Sequence, residues 1–205
     1  MKKMAAMGLA ALLAGAVWAE EEMDFGAMMQ ALGQMAQTGA ASNAPPAAVS
    51  PKALKEALPK AIPGFERVEA GAEKQGLFGM NTVIATGVYE SGAKSIRLEI
   101  TDVGGMGGLG AMAMLGWTNS EVDKETRTGF ERTTTYQGFK ALESYDKESK
   151  SGEIQIFDGG RFSVKIEGSD LDSFEELAGA ANAVDLKALS ALQPEAAPAA
   201  QPETP

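Results

Sequence analysis

Neither cysteine nor histidine occurs among the 205 residues. Their absence removes disulfide frameworks, zinc fingers, thiol nucleophiles and imidazole bases from consideration. A serine nucleophile in this chain needs a lysine or a carboxylate as its base. Basic residues are also few: 18 Lys and Arg stand against 28 Asp and Glu, a formal net charge of −10. Phosphate neutralisation requires a clustered basic face, so nucleic acid is not an expected partner. Proline is missing from the interior. All nine prolines lie at 45, 46, 51, 59, 63, 194, 198, 202 and 205, and 64–193 holds none. Proline neither donates to a strand ladder nor continues a helix, so a proline-free run between proline-rich flanks marks the folded unit.

What is present begins with an address. Residues 1–19, MKKMAAMGLAALLAGAVWA, open on Lys2 and Lys3 and continue through an uncharged, mostly apolar stretch from Met4 to Val17. Val17 and Ala19 supply the small residues that signal peptidase reads. Glu20, Glu21 and Glu22 follow at once, where a membrane anchor needs more apolar length and basic flanks. Cleavage of a Sec-type signal near Ala19 is therefore expected, with no stable membrane insertion afterwards. Losing Lys2 and Lys3 takes the net charge from −10 to −12. Export without cysteine, and without any Asn-X-Ser/Thr sequon, points to a bacterial periplasm or exterior. The exported chain then divides by composition. Residues 20–49 read as a short Met-rich amphipathic helix plus a flexible linker, and 50–192 as one α+β domain. Residues 193–205 read as a disordered Pro/Ala/Glu tail.

Within 50–192, Ser50 and Pro51 form a helix start, with Leu54, Leu58 and Ile62 recurring every four residues, although Pro59 must end or kink the helix. Residues 94–102 and 161–168 alternate strictly. Ile96, Leu98 and Ile100, and then Phe162, Val164 and Ile166, are separated by polar or charged residues, as in half-buried antiparallel strands. Weaker strand signals cover 66–73, 80–90, 127–136, 139–146 and 153–158, separated by Ser91-Gly92, Ser151-Gly152 and Asp158-Gly159-Gly160. A small-residue helix is expected over 109–115. A second, over 172–183, opens on Asp172-Ser173-Phe174-Glu175 as a capping pattern, and Leu186, Leu189 and Leu192 extend its apolar face. The expected fold is a curved, mainly antiparallel sheet of about six to seven strands with two or three helices on one face. In element order alone this resembles the Mog1/PsbP-type sandwich; no motif carries the resemblance and no function follows from it.

Three features bear on chemistry. Gly105, Gly107 and Gly110 fit G-x-G-x-x-G after a strand and before a helix. The preceding strand alternates charges on one face, whereas a dinucleotide-binding strand is buried on both, so the run reads as a glycine hinge into a helix packed on the sheet. Met106, Met112, Met114 and Trp117 would then fill the interface or cover an apolar ligand. Second, Met23, Met28, Met29 and Met35 lie in the segment after the signal. Thioethers suit Cu(I), but with no histidine nearby the better reading is an amphipathic helix over 23–37. Its apolar face is Phe25, Met28, Met29, Leu32 and Met35. That segment has no Lys or Arg and follows three glutamates, which anionic lipid repels, so its face suits a protein groove. Third, carboxylates alternate with Lys or Arg, as in Arg97/Glu99, Glu131/Arg132 and Lys165/Glu167, and read as solvated cross-strand pairs.

These residues lead to an exported, non-catalytic binding or accessory protein that contacts a protein partner in the cell envelope. No catalytic residue, metal ligand or cofactor is assigned. The expected contact residues are Met28, Met29, Leu32, Met35, Met106, Met112, Met114 and Trp117. The alternatives are a small carrier of an apolar ligand under the 104–117 segment and a hydrolase that works with carboxylates alone.

Overall fold

In a computed structural model, residues 47–77, 80–104, 121–158 and 160–194 are described. All belong to the second of the two units into which the chain divides, Ala44–Pro205. The signal stretch, the Met-rich segment and the expected helix over 109–115 lie outside the described residues.

The chain opens with helix α1 (Pro51–Glu56), capped by the Ser50 side chain accepting from the Ala53 amide at 3.2 Å. Four strands follow: β1 (Ala61–Ile62), β2 (Phe65–Leu77), β3 (Met80–Ser91) and β4 (Lys94–Asp102). Then come β5 (Asp123–Glu125), β6 (Gly129–Tyr136), β7 (Phe139–Asp146), β8 (Ser151–Phe157) and β9 (Phe162–Ser169). Helices α2 (Phe174–Ala183) and α3 (Leu186–Ser190) close the unit. The strands make one antiparallel sheet in the order β1-β2-β3-β4-β9-β8-β7-β6-β5. Each half is a meander of hairpins, and the halves meet where β4 pairs with β9.

Among the described residues, nine strands stand where six to seven were expected. The two additions carry no period-2 signal: β1 is two residues between Pro59 and Pro63, and β5 is Asp-Lys-Glu with all three side chains exposed. Leu54, Leu58 and Ile62 are all buried; α1 stops before Pro59, as that proline requires, so only Leu54 is helical and Ile62 sits on β1. One further expectation shifts. In α2 the N-cap position is Ser173, with no side-chain cap bond. Asp172, expected to cap, instead accepts from Lys94 Nζ at 2.5 Å, and Lys94 also reaches Glu176 at 2.6 Å.

Alternation decides which face is dry. Consecutive Cα partners Ala85, Ile100, Val164, Ile156 and Ala141 form one buried row across five strands. The next row runs Leu98, Ile166 and Ile154. Leu54 of α1, Leu177, Ala180 and Ala181 of α2, and Leu186 and Leu189 of α3 pack on this face. Close approach of α2 depends on small residues beneath it. Gly152 and Gly168 are direct partners, and a Cβ on Gly168 would collide with the Leu171 and Leu177 side chains. The opposite face carries the polar half of the alternation, with Arg97 opposite Glu167 and Glu99 opposite Lys165.

The chain's three tyrosines are all buried on the helix-covered side, each with its hydroxyl committed. Tyr89 donates to Pro59 O at 2.7 Å, Tyr145 to Leu171 O at 3.1 Å and Tyr136 to Glu143 at 2.7 Å. Burial raises all three phenol pKa values above the ordinary 10.0, and at Tyr136 the Glu143 carboxylate adds to the shift. In the unfolded chain the phenols ionise at the ordinary value. Their contribution to stability is therefore complete below pH 10 and is lost as pH rises toward the folded values. Absorbance at 295 nm should show no phenolate in the native protein near pH 10. All three tyrosines should ionise together with the loss of the near-ultraviolet dichroism. A native-state tyrosine titrating at the ordinary value would contradict this packing.

Candidate functional site

The most constrained point of the described structure is at the end of β4. Asp102 continues the parity of Ile96, Leu98 and Ile100, so its carboxylate enters the dry face and is fully buried. A buried carboxylate is tolerated only when its oxygens are filled, and here they are. Arg161 Nε donates to Oδ1 and Arg161 Nη2 to Oδ2, both at 2.8 Å, in a two-pronged geometry. Gly104 N reaches Oδ1 at 2.9 Å, and Val49 N reaches Oδ2 at 2.7 Å. Arg161 Nη2 also donates to Ala47 O at 2.9 Å, and Val103 N bonds Arg161 O at 3.0 Å. Asp158 positions the arginine by accepting from the amides of Gly160, Arg161 and Phe162 at 2.7–2.9 Å. One ion pair thus holds residues 47–49, 102–104 and 161 together. Composition places 47–49 in a linker, but Ala48 and Val49 are buried.

A second buried carboxylate lies on β7. Glu143 accepts from Arg132 Nε at 2.6 Å and from the Tyr136 hydroxyl at 2.7 Å, and Arg132 lies 4.5 Å above the Phe130 ring. Glu131 and Arg132, grouped by the sequence reading on a wet face, therefore separate. Glu131 faces the open side with Lys124, 3.0 Å away, while Arg132 turns to the helix side. The parity of Ala141, Glu143 and Tyr145 was the signal for this group, as that of Ile100 and Asp102 was for the first.

The open face holds a shallow groove of about 570 Å³ across β6 to β9, with Glu131, Ser144, Glu153 and Glu167 along its floor. Glu153 and Glu167 are direct cross-strand partners, a pairing of like charges that Lys165 neutralises at 3.4 and 2.7 Å. Gln155 Nε2 donates to Glu153 as well. Each acid on this floor is held by a lysine or an amide, which is the arrangement of solvated sheet pairs. Among the described residues, no group of three or more acids is placed to hold a metal ion. Between α1 and α3 a smaller apolar groove of about 300 Å³ is lined by Ala53, Ala57, Ala188, Leu189 and Leu192, with Glu56 and Asp185 at its rim. None of the described helices is long and apolar enough to cross a membrane.

The residues expected to make contacts, Met28, Met29, Leu32, Met35, Met106, Met112, Met114 and Trp117, lie outside the described residues. What the structure does place is where the two stretches that hold them join the sheet, at Ala47–Val49 and at Val103–Gly104, and both joins rest on Asp102 and Arg161. No protein-family model matches this chain, and no curated protein or solved structure matches it either.

Replacing Asp102 with Ala should destabilise the protein by about 3 kcal/mol, the cost of leaving a largely buried guanidinium unpaired. Urea denaturation measures it. Amide exchange at Val49 and Gly104 should accelerate well beyond the global change. If those two amides stay protected in the variant, the pair is not what fastens the segments.

Proposed function

We propose that this chain is an exported, non-catalytic binding protein whose N-terminal Met-rich segment engages a protein partner in the cell envelope. The observation that carries the reading is the double anchorage at Asp102. The chain following residues 20–46 and the chain entering 105–120 are both tied by buried or part-buried, charge-assisted bonds to the central strands of the sheet. Binding segments are commonly displayed on rigid scaffolds in this way. The sequence supports the remainder of the reading. The 1–19 stretch has the layout of a cleaved signal, and the apolar face of 23–37 sits among acids and lacks any basic residue that would draw it to lipid. With neither Cys nor His, and with the described buried carboxylates engaged in structural pairs, the surface offers recognition rather than bond cleavage. The reading includes a curved sheet, because right-handed twist accumulates over nine strands.

The test compares the whole exported chain with a version lacking 20–40, each tagged and recovered from cell envelopes after cross-linking. Partners should be lost with the deletion while the melting temperature of the 47–194 unit stays unchanged. Recovery of the same proteins by both versions would end the proposal for this segment. N-terminal sequencing of the exported form should begin at Glu20.

A further inference from the structure

The two edges of the sheet are treated differently. At one edge β5 is three residues long, all charged, and presents little backbone to pair with. At the other, β1 covers β2 only at Phe65 and Glu66. From Arg67 to Leu77 the outer edge of β2 has no backbone partner among the described residues, although its inner edge is paired with β3 along nearly the whole length. A bulge at Arg67/Glu69 separates the covered end from the open stretch. Beyond the bulge, Glu69 to Gly76 is eight residues of straight register, about 26 Å of strand. Alternate residues of such an edge turn their N–H and C=O groups outward, a ready template for another strand.

The side chains along this edge are sorted by sign. On the open face stand Glu69 and Glu73, both exposed, with Gln75 beyond. On the helix-covered face stand Ala70 and Ala72, partly buried against the core, then Lys74. Acids on one side and small apolar residues on the other specify an incoming strand with the reverse pattern. A second copy of this chain fits poorly. Antiparallel self-pairing keeps equivalent faces together. Centred on Gly71 it sets Glu69 against Glu73; centred on Glu73 it sets that glutamate against itself; centred on Lys74 it sets two lysines together. Centred on Ala72 it places the glutamates of both copies diagonally across the same face. Like charges at these positions oppose pairing.

We propose that the β2 edge from Glu69 to Gly76 is a strand-addition site for an extended polypeptide of a partner protein. That partner strand carries basic side chains on one face and small apolar ones on the other. The proposal rests on reading the chain as a binding protein but uses none of residues 20–40, so the two fail separately. Backbone bonds supply the affinity, and Glu69 and Glu73 select the sign of the partner.

The test titrates the full chain with two blocked nine-residue peptides at low ionic strength, one alternating lysine with valine and one alternating glutamate with valine. The lysine peptide should bind about tenfold more tightly, the discrimination that two cross-strand ion pairs allow. It should also slow amide exchange within 69–76. In the double variant Glu69→Lys, Glu73→Lys, whose side chains are both exposed, the preference should reverse. The proposal is overturned if binding leaves the exchange of 69–76 unchanged, for example because the peptide occupies the acidic groove instead. It is equally overturned if the double variant keeps the original preference. If light scattering shows the chain to be a dimer that the double variant dissolves, the edge belongs to a second copy and the assignment is wrong. Loss of envelope partners on deleting 20–40 bears on none of these outcomes.

Discussion

The fold depends on the seam between β4 and β9. Among the described residues this is the one ladder that joins the two meanders, running from Ser95 opposite Ser169 to Asp102 opposite Phe162. Every other pairing is a hairpin between neighbours in sequence, with modest loop-closure cost. Among the ladders the seam alone brings together residues 60 to 74 positions apart, and the chain must travel from the sheet centre to the far edge and return before it can close. Its end is therefore where a strong, directional contact has the greatest effect. The Asp102–Arg161 pair stands there, and its two-pronged geometry admits only one register of the two strands. An apolar pair in the same place would fill the space but leave the Val49 and Gly104 amides without acceptors. The ion pair is retained because its remaining oxygen lone pairs are needed.

The same logic explains why the dry face of the sheet contains polar groups at all. Glu143, Tyr136 and Tyr145 lie on the buried face of β6 and β7, and each polar atom there meets a partner. Among the described residues no buried side-chain nitrogen or oxygen lacks one. Such groups add little net stability, but they penalise every alternative packing in which they are left unpaired. The glycine shelf at Gly152 and Gly168 works sterically toward the same end. It lets Leu177 descend onto the sheet, and it places α2 so that Lys94 meets Asp172 and Glu176. Backbone shape, packing and charge then agree on one position for the helix.

Much of the sheet was legible because a period of two leaves a strong trace wherever one face is dry and the other wet. The strands 94–102 and 139–146 emerge with the boundaries read from the sequence, and β9 is displaced by one residue. Legibility ends where side chains do not report the backbone. β5 is a strand because β6 lies beside it, and Asp-Lys-Glu gives no hint of that. The sites differ in the same way. Asp102 and Glu143 were not singled out in the sequence, although both stand at the apolar parity of their strands, and their partners left no signal at all. Arg161 lies 59 positions from Asp102, and only the register of β4 against β9 brings the two together. The contact residues named on the apolar face of 23–37 and in the 104–117 segment lie outside the described residues.

Strand order also decides what the surface can recognise. A seam at the centre, with hairpins spreading to both sides, leaves two outer strands that differ in kind. β5 is short and charged, and its edge offers little template. Among the described residues β2 continues well beyond β1, its one outer partner, and its open stretch is protected by charge rather than by brevity. Protection by charge is selective where protection by brevity is not. Like-charged side chains repel a second copy in register, yet they attract a strand of the opposite sign. Glu69 and Glu73 on one face, with Ala70 and Ala72 on the other, therefore do two things at once. They oppose self-pairing in the registers centred on Gly71, Ala72, Glu73 and Lys74, and on the proposed reading they select the sign of the partner strand.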